Sequence, residues 1–141
     1  MPILLLICLS ISALCQPDPF AGTWEGQLTH EGGYASSYHI TFHLQKSEEG
    51  YTGLSIVRVN DIFVEMEVTG EAMTDRLLIL EDVKMRRFTT KEGMEWCVKS
   101  YQLLKGTDEK GSVLEGTWQG KTSFSSCIPG KLSLRRTVDR A

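Results

Sequence analysis

No apolar run in this sequence reaches the roughly 18 residues that a membrane-crossing helix needs, so no helical span is expected. No segment sustains an apolar period of about 3.6 residues, which argues against amphipathic helices. Phosphate-cradling glycine loops of the Walker or Gly-x-Gly-x-x-Gly type are absent, and so is the Gly-x-Ser-x-Gly turn that exposes a nucleophilic serine. Ser123, Ser125 and Ser126 therefore lack the context of a hydrolase, and no catalytic constellation is expected. The formal charge of −3 is modest and argues against the concentrated positive field of a nucleic-acid binder. No Cys-x-x-Cys occurs, so a structural zinc site is not expected; with no cofactor motif recognised, no cofactor is expected.

What is present begins with an apolar stretch from Pro2 to Leu14, broken by Gln16-Pro17-Asp18-Pro19. This pattern predicts a secretory signal peptide over residues 1–15 and a single mature domain over 16–141. No Lys or Arg precedes the run, so the positive flank would come from the amino terminus or from residues further upstream. Ala13-Leu14-Cys15 suits cleavage after Cys15, and acylation of Cys15 as a lipid anchor is the alternative. Export to a secreted or periplasmic location follows. There, Cys97 and Cys127 are expected to pair as a disulfide.

Turn signals divide the mature chain at short, even spacing, among them Glu31-Gly32-Gly33, Asn60-Asp61, Glu92-Gly93 and Pro129-Gly130. Between them lie strands predicted near 22–30, 36–46, 51–59, 62–70, 76–83, 95–105, 112–119 and 130–137. Tyr38, Ile40, Phe42 and Leu44 alternate with His39, Thr41, His43 and Gln45, as in a half-buried strand. Val64, Met66 and Val68 alternate likewise with Glu65, Glu67 and Thr69. The third and sixth strands are ambiguous in phase. Leu77-Leu78-Ile79-Leu80 is apolar on both faces, which suggests outside cover from a second subunit or from the segment Arg86 to Thr90. The pattern predicts an all-β fold, an eight-stranded antiparallel up-and-down barrel without exposed edges.

One phrase occurs twice: Gly22-Thr23-Trp24-Glu25-Gly26 and Gly116-Thr117-Trp118-Gln119-Gly120. A Gly-x-Trp on the first strand of a small exported barrel resembles the calycin group, the lipocalins and avidin-like proteins. The resemblance implies barrel closure by Gly22, Trp24, Gly116 and Trp118, with Arg136 of the last strand packed over a Trp. Avidin-like proteins carry Asn two residues after the Trp; Gly26 stands there instead, so biotin binding is not implied.

Several polar groups are weighed and set aside. His39 and His43 share a strand face but stand about 13 Å apart, too far for one metal ion. Glu65 and Glu67 are read as an exposed charged stripe rather than an acid–base pair. Lys84, Arg86 and Arg87 beside Phe88 are read as a solvated loop, with anion binding as the alternative. The aromatic set is the informative one. Trp24, Tyr38, Phe42, Trp96 and Trp118, with Met66, either fill the barrel or line a cavity open at one end, with Tyr38 and Met66 near its mouth. The preferred expectation is a non-catalytic binding protein for a small apolar or amphipathic ligand. The alternatives are a protease-inhibitor-like protein that presents segment 16–20 to a protein partner, or a structural envelope protein with a filled core.

Overall fold

A computed structural model describes residues 18–137. The expected signal peptide, Cys8, Cys15, Gln16 and Pro17 lie outside the described residues. Eight strands follow in order: β1 (Gly22–His30), β2 (Ser37–Ser47), β3 (Gly50–Val59), β4 (Ile62–Ala72), β5 (Leu77–Phe88), β6 (Val98–Asp108), β7 (Gly111–Lys121) and β8 (Gly130–Arg136). Each pairs antiparallel with the next, and β8 returns to β1, so the sheet closes as an up-and-down barrel. Among the described residues no helix occurs, and none is long and apolar enough to cross a membrane.

Alternation explains which residues turn inward. Tyr38, Ile40, Phe42 and Leu44 of β2 are buried, and so are Ile62, Val64, Met66 and Val68 of β4. The phase of β6, open from sequence, places Lys99, Tyr101 and Leu103 inside. On β5, Leu78 and Leu80 enter the core and Leu77 and Ile79 remain half-buried.

β5 is longer than expected. The segment from Lys84 to Phe88 is strand rather than loop, and it cannot fold back over Leu77 to Leu80 because it continues the same ribbon. Two register shifts explain the misreading. Between Glu65 and Met66, and again between Glu67 and Val68, β5 carries an extra residue opposite β4. Such bulges break strict alternation and bend the strand. Pairing of β5 with β6 stops at Glu81↔Ser100, leaving the later half of β5 bonded to β4 alone.

The two Trp phrases are not equivalent. β1 and β7 lie on opposite sides of β8. Trp24 pairs with Arg136 and Trp118 with Gly130, six residues apart along β8, or about 20 Å. Trp24 thus belongs to the lower end, where the turns are tight, and Trp118 to the upper end, where the loops are longer. Strand packing uses the glycines differently too. A Cβ at Gly26 would overlap the Ser133 carbonyl, whereas in the second phrase both glycines are crowded, Gly116 against the Gln102 carbonyl and Gly120 against the Val98 carbonyl.

The chain entering β1 plugs the lower end. Phe20 is fully buried, with its ring edge-on to Tyr51 at 5.7 Å. Asp18 Oδ1 accepts from the Tyr51 hydroxyl (2.6 Å) and from the amides of Phe20 and Ala21 (both 2.9 Å). Burial pushes the Asp18 carboxyl upward, but these donors and nearby Lys46 outweigh it and hold it below its ordinary value of 3.8. A depressed carboxyl adds stability that is complete above the unfolded pKa and lost as pH falls through the folded one. Asp18→Asn is therefore expected to lower denaturant stability at pH 7, with the gap to wild type closing below about pH 4. Chemical denaturation at both pH values checks this; a gap independent of pH contradicts it.

Candidate functional site

The upper end holds a cavity of about 160 Å³, bounded by Leu28, His30, Tyr38, Val57, Trp96, Lys99, Trp118 and the Cys97–Cys127 pair. Three longer loops build its rim: 31–36, 89–97 and 122–129. The disulfide ties the last two together, with a Cα–Cα separation of 6.4 Å. Ser123 adds a second tie, its amide and hydroxyl donating to Glu95 at 3.0 and 2.9 Å.

The walls are aromatic. His30 stacks on Tyr38 with centroids 5.5 Å apart and meets Trp118 edge-on at 5.7 Å. Trp96 stands against Tyr38 at 6.3 Å. Both indole N–H groups are engaged, Trp96 with the Thr89 carbonyl (2.7 Å) and Trp118 with the Thr29 carbonyl (3.1 Å). Their ring faces are left as apolar wall, the usual division of labour for a buried indole.

One side of this cavity is charged. The Lys99 side chain is 4% exposed and that of Asp82 fully buried. Lys99 Nζ donates to the Cys97 carbonyl at 2.9 Å, stands 3.9 Å from Asp82 Oδ2, and lies 6.0 Å from the centre of the Trp118 ring. Asp82 accepts from the Lys99 amide (2.9 Å) and from the Tyr101 hydroxyl (3.1 Å). Ser55 Oγ is buried nearby without a partner of hydrogen-bond geometry. Burial drives the Lys99 ammonium down against the pull of the Asp82 charge. It drives the Asp82 carboxyl up against Lys99 and its other donors. Charge is tolerated here because each partner offsets the other's desolvation.

Of the residues expected around a cavity, Tyr38, Trp96 and Trp118 line it. Trp24, Phe42 and Met66 do not. Phe42 packs edge-on to Tyr101 at 5.1 Å, and Met66 is buried at mid-barrel opposite Ser55, away from any mouth. Trp24 stands in the lower plug, its indole donating to the Phe20 carbonyl at 2.9 Å. Arg136 lies 4.5 Å over the Trp24 ring and donates to the Pro19 carbonyl at 2.6 Å. Gly22 begins β1 beside it with φ +124°.

The remaining groups take other parts. His39 faces Glu25 at 3.9 Å and His43 meets the Thr23 hydroxyl at 3.0 Å, both on the outer wall. Among the described residues no cluster of His, Cys, Asp and Glu could hold a metal ion. Glu65 is not an exposed stripe as expected: Arg87 covers it, Nε to Oε2 at 3.0 Å, and leaves its side chain 11% exposed. Arg87 thereby holds that carboxyl below its usual range.

Sequence reasoning missed Lys99, Asp82 and His30. A signal existed for two of them. The inward faces Leu78-Leu80-Asp82 and Lys99-Tyr101-Leu103 are each interrupted by one charge, of opposite sign, on neighbouring strands. Comparison with known proteins adds nothing to the geometry: no family model, no curated protein and no solved structure matches this chain.

Removing one partner from a buried ion pair strands the other charge, at a cost of about 3–5 kcal/mol. Asp82→Leu and Lys99→Met are each expected to destabilise by that order, and the double variant by less than either. Urea denaturation of the four proteins tests the coupling; strictly additive losses contradict it.

Proposed function

We propose that this is a non-catalytic binding protein whose upper cavity holds one small, flat, neutral molecule of about single-ring size. The observation that carries this reading is the half-open cavity of about 160 Å³ walled by Trp96, Trp118, Tyr38 and His30. An apolar protein cavity of about 150 Å³ admits benzene. Pockets for drug-sized ligands begin near 300 Å³, so a long lipid does not fit without opening the loops. Binding would draw on the desolvation of aromatic surface on both partners, at roughly 25 cal/mol per Å².

The disulfide between Cys97 and Cys127 supports residence in a non-reducing, exported compartment, secreted or periplasmic. Anchoring through Cys15 concerns residues outside those described. The inhibitor-like alternative draws less support. Asp18 to Phe20 are bonded into the lower plug, and Phe20 is fully buried, so this part of segment 16–20 is not free to enter a partner's cleft. A filled-core envelope protein also fits less well, since the core is open at one end.

Toluene is the simplest probe. At ten times its dissociation constant, a ligand specific to the native state adds about 1.4 kcal/mol, or roughly 5 °C in melting temperature for a domain this size. Val57→Phe fills the cavity from its wall and is expected to abolish the shift. No shift in the wild type, or an equal shift in the filled variant, removes this reading.

A further inference from the structure

Lys99 is the one cation inside the aromatic cavity among the described residues, and its surroundings select the ligand's chemistry. The Lys99–Asp82 pair is already neutral as a unit. A carboxylate or phosphate brought beside it would leave a net buried anion, which costs several kcal/mol without a partner. A neutral ligand with an acceptor atom meets no such penalty. Nζ has hydrogen-bonding capacity to spare: the Cys97 carbonyl takes one of its positions at 2.9 Å, and Asp82 Oδ2 at 3.9 Å lies beyond hydrogen-bond reach. That capacity sits in a wall shared with Trp118.

We propose that Lys99 is a covalent capture site, whose amine condenses reversibly with the carbonyl of a small aromatic aldehyde seated between Trp96 and Trp118. This rests on the cavity-binding reading and gives it a ligand class. The amine lone pair attacks the carbonyl carbon to form the C–N bond. The carbonyl oxygen then leaves as water, carrying the two protons that the amine gives up. No oxidant or reductant takes part. Asp82 Oδ2, 3.9 Å from Nζ, is within reach of the amine through one water molecule; it takes the ammonium's third proton to free the lone pair and returns it to the imine nitrogen, so that the pair is again neutral as a unit. Burial supplies the remaining requirement, since it lowers the cost of the neutral, nucleophilic amine relative to the ammonium.

The test uses the full processed protein, benzaldehyde at low millimolar concentration and cyanoborohydride, which reduces an imine to a stable benzylamine. Peptide mapping then locates the adduct. The expected result is one benzyl group per chain, at Lys99, at least tenfold above any other lysine. It is suppressed by saturating toluene and by Val57→Phe, which keeps Lys99. Lys99→Arg is expected to lose the adduct. Adducts spread evenly over surface lysines, or an adduct at Lys99 that toluene does not suppress, overturn the proposal. A toluene shift without modification of Lys99 overturns capture and leaves the cavity reading standing; absence of both overturns both.

Discussion

Closure of β8 onto β1 is the constraint on which everything else depends. Once the last strand bonds to both β7 and β1, the sheet closes, with a free side only where β5 runs on past Glu81, and the inward residues share one narrow interior. An eight-stranded barrel has room for its own side chains and little more. The inward charges must therefore be paired, and among the uncharged inward groups Ser55 Oγ stands out as buried without a partner. Leu78 and Leu80 pack into the interior; Asp82 and Lys99 pair with each other.

The two ends of the tube are finished differently. Below, Phe20, Trp24, Tyr51, Asp18 and Arg136 lock into a stopper of rings and hydrogen bonds drawn from the entering chain and the last strand. Above, the rim is made of loops held by a disulfide, and the rings there stand around a space instead of filling it. The break in β5–β6 pairing beyond Glu81 lies at this upper end. There the barrel wall gives way to the 89–97 loop, which delivers Trp96.

Much of the fold was legible because the physics that selects it is local. Alternation in β2 and β4 states which face is buried, and the turn residues between strands state where the chain reverses. Two lone cysteines after an export-like leader state their pairing. What stayed hidden depends on registration between strands. Bulges against β4 concealed the length of β5 and let Arg87 cover Glu65. The repeated Trp phrase suggested one shared closure, but the pairing of each copy with β8 sends the indoles to opposite ends. Asp82 and Lys99 are far apart in sequence, and only the β5–β6 register makes an ion pair of them.

One end of the barrel is sealed, and the other opens into an aromatic cavity. Xenon enters apolar cavities of this size and is directly visible in electron density. Crystals of the protein under xenon pressure are predicted to show an atom between Trp96 and Trp118 and none beside Trp24. An upper end without xenon, or an atom lodged in the lower plug, would contradict the account.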